Sequence, residues 1–260
     1  MLLGKKIRLK RILENGKMLC IPMDHGLSSG PLKGIENMDK IIQKIELGGA
    51  TSTVLNKGII KSLNHLPNLG LIMHLSGSTS LGNTPNWKVK VGDVKEALKL
   101  GADGVSVHIN IGGDNEPEML SKLAEIANES DTWGVPFLAM MYPRGENLKS
   151  PHDPETIAHV TRIGAELGAD IVKTTYTGDP DSFRLVVESC PVPVVIAGGP
   201  KMNSDKEVLE MVEGAMEAGA IGVTFGRNVF QHQNPTSIVK ALSMLIKQKT
   251  SVDEALEALK

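Results

Sequence analysis

Leu167-Gly168-Ala169-Asp170-Ile171-Val172-Lys173-Thr174-Thr175-Tyr176-Thr177-Gly178-Asp179 holds a helix-to-strand turn, a short apolar strand and a lysine in one run. Glycine in the turn suits the residue just past a helix, where the backbone adopts a left-handed conformation. The turn recurs. Gly48-Gly49-Ala50, Leu100-Gly101-Ala102-Asp103 and Ala218-Gly219-Ala220-Ile221 repeat it, and we read them as the echo of a repeated βα unit.

Outward from that stretch, eight short apolar runs recur: Met18–Asp24, Ser52–Leu55, Leu69–His74, Gly104–Ile109, Pro136–Met141, the run carrying Lys173, Val192–Ala197 and Ile221–Phe225. Most are separated by helical patterns. These cover Asp39–Leu47, Asp93–Leu100, Glu116–Thr132, Asp153-Pro154-Glu155 to about Leu167, Ser204-Asp205 to Ala218, and Pro235–Lys247, with a short helix after it. Proline at the first helical position marks the Asp153 start. The helix of the second unit must be short. Strands alternating with helices imply parallel βαβ units, and eight in a chain of 260 residues fit one (β/α)8 TIM barrel over residues 1–260.

Net charge is only −2 and no long basic run occurs, which gives no support for a nucleic-acid partner. No apolar run is long enough to span a bilayer, and the basic start, Met1-Leu2-Leu3-Gly4-Lys5-Lys6, lacks the apolar core of a signal peptide. Cys20 and Cys190 show no paired spacing and are expected to be reduced and buried in a cytoplasmic protein.

Lysine within an apolar strand is costly unless paired or neutral. Desolvation lowers a lysine's pKa, and a neutral amine can form an imine with a carbonyl substrate. The competing reading is a structural lysine paired to a carboxylate. In a TIM barrel the C-terminal strand ends form the active face. Here they carry Asp24 and His25, Asn56 and Lys57, His74 and Ser76, His108 and Asn110, Tyr142 and Arg144, and Lys173. Gly198-Gly199 and Gly226-Arg227 follow the last two strands, where glycine lets backbone N–H groups approach a phosphate and Arg227 adds charge. Tyr142 and Asp24 are the candidate proton-transfer groups beside Lys173. His25, His74 and His108 could instead hold a zinc, although no motif sets two histidines at ligand spacing, so no metal or other cofactor is expected. His65, His152, His159 and His232 read as surface or loop residues.

Pro22-Met23-Asp24-His25-Gly26, Met141-Tyr142-Pro143-Arg144-Gly145, Val172–Asp179, Ala197-Gly198-Gly199-Pro200-Lys201 and Val223–Asn228 together resemble the archaeal-type class I aldolase group. The resemblance covers nearly the whole chain. It implies a barrel that forms an imine on Lys173, with Tyr142 and Asp24 in proton transfer and phosphate loops at Gly198, Gly199, Gly226 and Arg227. His25, Gly26, Leu27, Ser28, Pro143 and Arg144 are the further implied substrate contacts.

One branch of the group cleaves fructose 1,6-bisphosphate. The other resembles a transaldolase, joining a three-carbon unit from 6-deoxy-5-ketofructose 1-phosphate to L-aspartate semialdehyde on a route to 3-dehydroquinate and aromatic amino acids. Pro22-Met23 before Asp24, His74-Leu75-Ser76, and Met140 two residues before Tyr142 resemble the second branch. The expected partners are therefore a sugar phosphate, L-aspartate semialdehyde and further copies of the chain in a homo-oligomer. A non-covalent sugar-phosphate isomerase and a non-catalytic sugar-phosphate sensor stay open beside it.

Overall fold

The computed structural model describes residues 2–145, 148 and 150–259; Met1, Glu146, Asn147, Lys149 and Lys260, all within the expected domain, lie outside it. Eight parallel strands close into a barrel in the order β1 (Met18–Pro22), β10 (Gly222–Thr224), β9 (Val194–Ala197), β8 (Ile171–Thr175), β7 (Phe137–Pro143), β6 (Gly104–Ile111), β3 (Gly70–His74) and β2 (Ser52–Asn56). The expected barrel is present. Its outer helices are α3 (Met38–Gly48), a short α4 (Lys57–Ser62) in the second unit, α5 (Val94–Lys99), α6 (Glu116–Trp133), α7 (Pro154–Glu166), α8 (Pro180–Glu188), α9 (Asp205–Glu217) and α11 (Pro235–Ser243). The expected last helix runs without a gap from Pro235 to Gln248, turning π-helical over Met244–Gln248, and the expected short helix after it is α12 (Val252–Glu257). Among the described residues no helix is long and apolar enough to cross a membrane.

Several elements go beyond what the apolar runs announce. Helix α8 fills the gap between β8 and β9, and its Asp179-Pro180 start repeats the Asp153-Pro154 start of α7: each aspartate accepts from a first-turn N–H. Single-turn helices α2 (Gly26–Ser29) and α10 (Arg227–Phe230) follow β1 and β10, and a two-residue hairpin pairs β4 (Ser76–Gly77) with β5 (Val89–Lys90). Helix α1 (Leu3–Ile12) lies at the base of the barrel.

The repeated turn explains how that base is held. Gly49, Gly101, Gly168 and Gly219 all take positive φ, between 79° and 102°. In three of the four, the residue two positions later is polar and its side chain accepts an amide near the start of the neighbouring barrel strand. Thr51 Oγ1 takes Leu19 N at 3.0 Å, Asp103 Oδ2 takes Leu71 N at 3.0 Å, and Asp170 Oδ2 takes Phe137 N at 2.8 Å. The two aspartates also anchor α1: Arg11 Nε lies 2.7 Å from Asp103 and Lys5 Nζ 2.8 Å from Asp170. Lys5 also pairs with Asp131. Burial alone would lower the Lys5 pKa, but its bonds to Asp131 and Asp170 prevail and raise it.

Strand alternation sorts the side chains. Met18, Cys20, Val54, Ile72, Leu138, Met140, Tyr142, Ile171 and Val195 pack inside the barrel, closed from below by Ile12 of α1. The alternate positions, such as Leu19, Ile21, Ala139, Met141 and Val172, face the helices. Cys20 and Cys190 are free and buried, and burial pushes the Cys20 thiol up to about 12. Strand β10 closes the barrel against β1, where a Cβ on Gly222 would stand 1.8 Å from Met18 O at a φ of 153°. Gly222→Ala should therefore cost about 3 kcal/mol or more, read as a fall in thermal midpoint. An unchanged midpoint would mean that the seam relaxes freely.

Candidate active site

Strand β8 sets Lys173 between Met140 of β7 and Val195 of β9, on the inward face one layer above Ile171. Its side chain is 7% exposed, and among the described residues its amine has neither an ion pair nor a hydrogen bond. The structural-pair reading therefore lacks its carboxylate. Lys173 borders a cavity of about 660 Å³ at the C-terminal mouth of the barrel, shared with Asp24, His25, Ser28, Tyr142 and Arg144 on one arc and with Gly198, Gly199, Gly226 and Arg227 on the other. Three expected contacts lie elsewhere. Gly26 and Leu27 line a neighbouring, largely apolar cavity of about 790 Å³, and Pro143 lines a third of about 650 Å³.

Tyr142 sits one inward position above Met140, its ring 4.8 Å from His108 and 5.6 Å from the Arg144 guanidinium. Among the described residues its hydroxyl has no hydrogen-bond partner. Asp24 caps β1, with Oδ1 3.7 Å from His25 Nδ1 and Oδ2 3.8 Å from His74 Nε2. Burial works to raise the Asp24 pKa, but His74, His25 and Lys173 outweigh it and hold the carboxyl below its ordinary value. Asp24 is thus a carboxylate at neutral pH.

His74 and His108 belong to a hydrogen-bond chain, whereas His25 Nδ1 is buried with no hydrogen-bond partner among the described residues. His74 Nδ1 meets Ser106 Oγ at 2.9 Å and its Nε2 meets Ser76 Oγ at 3.2 Å. Ser76 Oγ accepts His108 N at 2.8 Å, and His108 Nε2 lies 2.9 Å from Asn110 Oδ1. Among the described residues no group of three or more histidine, cysteine, aspartate or glutamate side chains is arranged to hold a metal. Burial lowers the pKa of His25 and His74, and with Lys88 drives His108 down to about 3. The unfolded chain therefore binds more protons than the folded one as pH falls below about 6.5, the free histidine value. Stability should decline from there toward pH 3, and His108→Gln should flatten that slope in acid-unfolding curves. An unaltered slope would show that His108 does not titrate with unfolding.

The loops after β9 and β10 make a closed-in corner. A Cβ on Gly226 would fall 2.6 Å from His25 Cε1, and one on Gly198 would fall 2.8 Å from the Phe225 ring; Gly199, at φ 63°, faces open space. Asn228 ties the loops together, donating to Gly198 O at 2.9 Å and accepting from Met202 N at 2.7 Å. Among the described residues, Arg227 Nε is buried without a hydrogen-bond partner. A buried cationic donor with nothing to bind, beside two glycine loops, fits an anion.

Lys88 is one of the mouth residues that sequence reasoning missed; His152, read as a surface or loop residue, also lines the cavity. Lys88 lies in the polar loop between the two short hairpin strands and reaches the cavity from there. Burial depresses its pKa, Asp24 raises it and Arg144 lowers it. No periodicity marks a loop residue, so only its place before β5 could have drawn notice.

A barrel with an unpaired inward lysine, a tyrosine and a carboxylate at its C-terminal mouth defines the lysine-imine aldolases. The chain belongs to the DeoC/LacD family of aldolases, whose model matches residues 18–232, and it is an enzyme of the Schiff-base type. It is 43% identical over 98% of its length to 2-amino-3,7-dideoxy-D-threo-hept-6-ulosonate synthase 1 of Archaeoglobus fulgidus, covering 96% of that protein. It is 37% identical to 2-amino-4,5-dihydroxy-6-oxo-7-(phosphonooxy)heptanoate synthase of Streptomyces griseus, covering 94% of this chain and 90% of that one. An archaeal fructose-1,6-bisphosphate aldolase, solved with its catalytic lysine bound to the carbinolamine intermediate, superposes with a TM-score of 0.87 at 32% identity, over 94% of this chain and 99% of that one.

Proposed function

We propose that the chain is a transaldolase of the 2-amino-3,7-dideoxy-D-threo-hept-6-ulosonate synthase kind, moving a three-carbon unit from 6-deoxy-5-ketofructose 1-phosphate to L-aspartate semialdehyde. The observation that carries this reading is the buried, unpaired Lys173 amine sharing a cavity with Tyr142 and ionised Asp24. Met140 and the His74–Ser76 pair, which favour the synthase branch over the aldolase branch, lie beside that amine and Asp24 respectively.

Lys173 attacks the donor ketone, and Tyr142 gives the proton with which the carbinolamine hydroxyl leaves as water. The carbon–carbon bond then breaks toward the iminium, leaving an enamine on Lys173 and releasing a phosphorylated three-carbon aldehyde. Asp24 is the candidate base for the hydroxyl proton. The enamine adds to L-aspartate semialdehyde, and water frees the product. Gly198, Gly199, Gly226 and Arg227 form a corner of the mouth able to take a phosphate carried on the retained carbons; His25, Ser28 and Arg144 are nearer contacts than Gly26, Leu27 and Pro143. On the same reading the enzyme works in the cytoplasm as a homo-oligomer.

Borohydride treatment with each donor, followed by intact mass and peptide mapping, tests this. A Lys173 adduct with 6-deoxy-5-ketofructose 1-phosphate, and product formation only when L-aspartate semialdehyde is added, is the expected result. Trapping with fructose 1,6-bisphosphate alone would identify a class I fructose-bisphosphate aldolase instead. No adduct with either would return the chain to isomerase chemistry.

A further inference from the structure

The transaldolase reaction exchanges a phosphate-bearing aldehyde for a carboxylate-bearing one at Lys173. The donor has ketones at C2 and C5 and can meet the lysine either way round. An imine at C2 keeps the phosphate on the enamine when the C3–C4 bond breaks. An imine at C5 sends the phosphate away with the aldehyde and leaves a methyl end. The 3,7-dideoxy product named for the Archaeoglobus relative has that methyl end, whereas the Streptomyces product keeps a 7-phosphonooxy group. For a product of the first kind, phosphate leaves and a carboxylate arrives on the same side of Lys173.

Around the rim, β9 and β10 lie on one side of β8, carrying the glycine loops and Arg227; β7, β6 and β3 lie on the other. That second side holds Arg144 after β7 and Lys88 from the hairpin after β3, both lining the cavity with Lys173. Lys88 is fixed in place. The buried Lys122 amine of α6 donates to the Lys88 carbonyl, Ser76 and Gly77 pair with Lys90 and Val89, and Lys90 bonds Glu125 of α6 at 2.6 Å. Lys88 Nζ donates to Ser78 Oγ at 2.5 Å, and Ser78 donates in turn to Pro85 O at 2.6 Å. Among the described residues neither Lys88 nor Arg144 has an ion pair, so two cations face one cavity without a bonded carboxylate. That is the electrostatics of an anion site. Arg144 also borders the adjoining cavity of about 650 Å³, where Asn86, Asn110 and Asn115 offer polar partners for an ammonium group.

Given transaldolase chemistry at Lys173, on which the assignment rests, we infer that Lys88 and Arg144 form an exchange subsite, holding first the phosphate of the departing three-carbon aldehyde and then the carboxylate of incoming L-aspartate semialdehyde. The two aldehydes are of similar length, so one pair of cations serves both. The glycine–Arg227 corner then faces the retained carbons, and takes phosphate from a donor that is turned round or carries two. Lys122 acts as a positioning residue through the Lys88 backbone.

The test is steady-state kinetics of Lys88→Met, with L-aspartate semialdehyde and uncharged propanal as alternative acceptors. Loss of a charge-assisted bond should raise KM for L-aspartate semialdehyde relative to propanal by about 10- to 100-fold, and raise KM for the sugar phosphate alongside. Lys88→Arg, which keeps the charge, should recover most of both and controls for folding. An unchanged acceptor ratio overturns the subsite, and a rise for the sugar phosphate or the amino acid alone overturns the sharing. Wild-type enzyme that is trapped by borohydride yet gives no product with L-aspartate semialdehyde would overturn the transaldolase reading beneath it.

Discussion

Lys173→Arg abolishes turnover, by more than about 10⁴-fold in kcat/KM, and abolishes borohydride trapping, while the barrel still folds. Arginine keeps a positive charge at the same inward position, but its guanidinium stays protonated and cannot add to a carbonyl. The comparison therefore separates covalent catalysis from simple electrostatic help. Lys173→Met supplies the uncharged counterpart of similar length; it breaks no hydrogen bond or ion pair among the described residues, but withdraws one of the groups that hold the Asp24 pKa down. Circular dichroism and a thermal midpoint near that of the wild type would establish the fold. Retained activity in either variant sinks the imine mechanism.

Tyr142→Phe should lower kcat by about 10²- to 10⁴-fold, the range for losing a positioned acid or base, with a much smaller rise in donor KM. The substitution removes one oxygen and nothing else: the ring keeps its 4.8 Å contact with His108 and its place under Arg144. Because that hydroxyl bonds to none of the described residues, its loss leaves no partner unsatisfied, and stability should hardly move. Single-turnover borohydride trapping would locate the slowed step at imine formation. A raised KM with unchanged kcat would make Tyr142 a binding residue instead.

Much of the barrel could be read from the chain because its units repeat a strong local signal. The glycine turns before β2, β6, β8 and β10 mark where each helix stops, and inward alternation puts Lys173 and Tyr142 on one face. The rim residues cluster because every parallel strand ends on the same side. Helix α1 was hidden for a physical reason: it buries Lys5 and Ile12 and turns Leu3 and Ile7 to solvent, 72% and 56% exposed. Its docking joins the Lys5 and Arg11 ion pairs to a small apolar contact by Leu9 and Ile12, too little for apolar periodicity to announce it. Lys88 was hidden because its position comes from a hairpin and from Lys122 on a distant helix. The chain order of Pro143 next to Tyr142, or Gly26 and Leu27 after His25, did not tell which cavity each would face. Adjacent residues point opposite ways on a strand, and the single turn of α2 sends Ser28 to the mouth and Leu27 to the neighbouring cavity.

The seam between β1 and β10 joins Met18 to Gly222, so the first strand to leave the ribosome is completed by the last. At about 5–20 residues per second, the open edge of β1 waits on the order of 10–40 s for its second partner. The latch from Lys5 to Asp131 and Asp170 is delayed in the same way. During that interval the nascent chain presents a growing parallel sheet with two unpaired edges, a form open to sticking or to capture by chaperones. A side chain at position 222 would obstruct the one pairing that ends this exposure, so its cost would appear in the yield of folded enzyme from living cells more than in the activity of the molecules that do close.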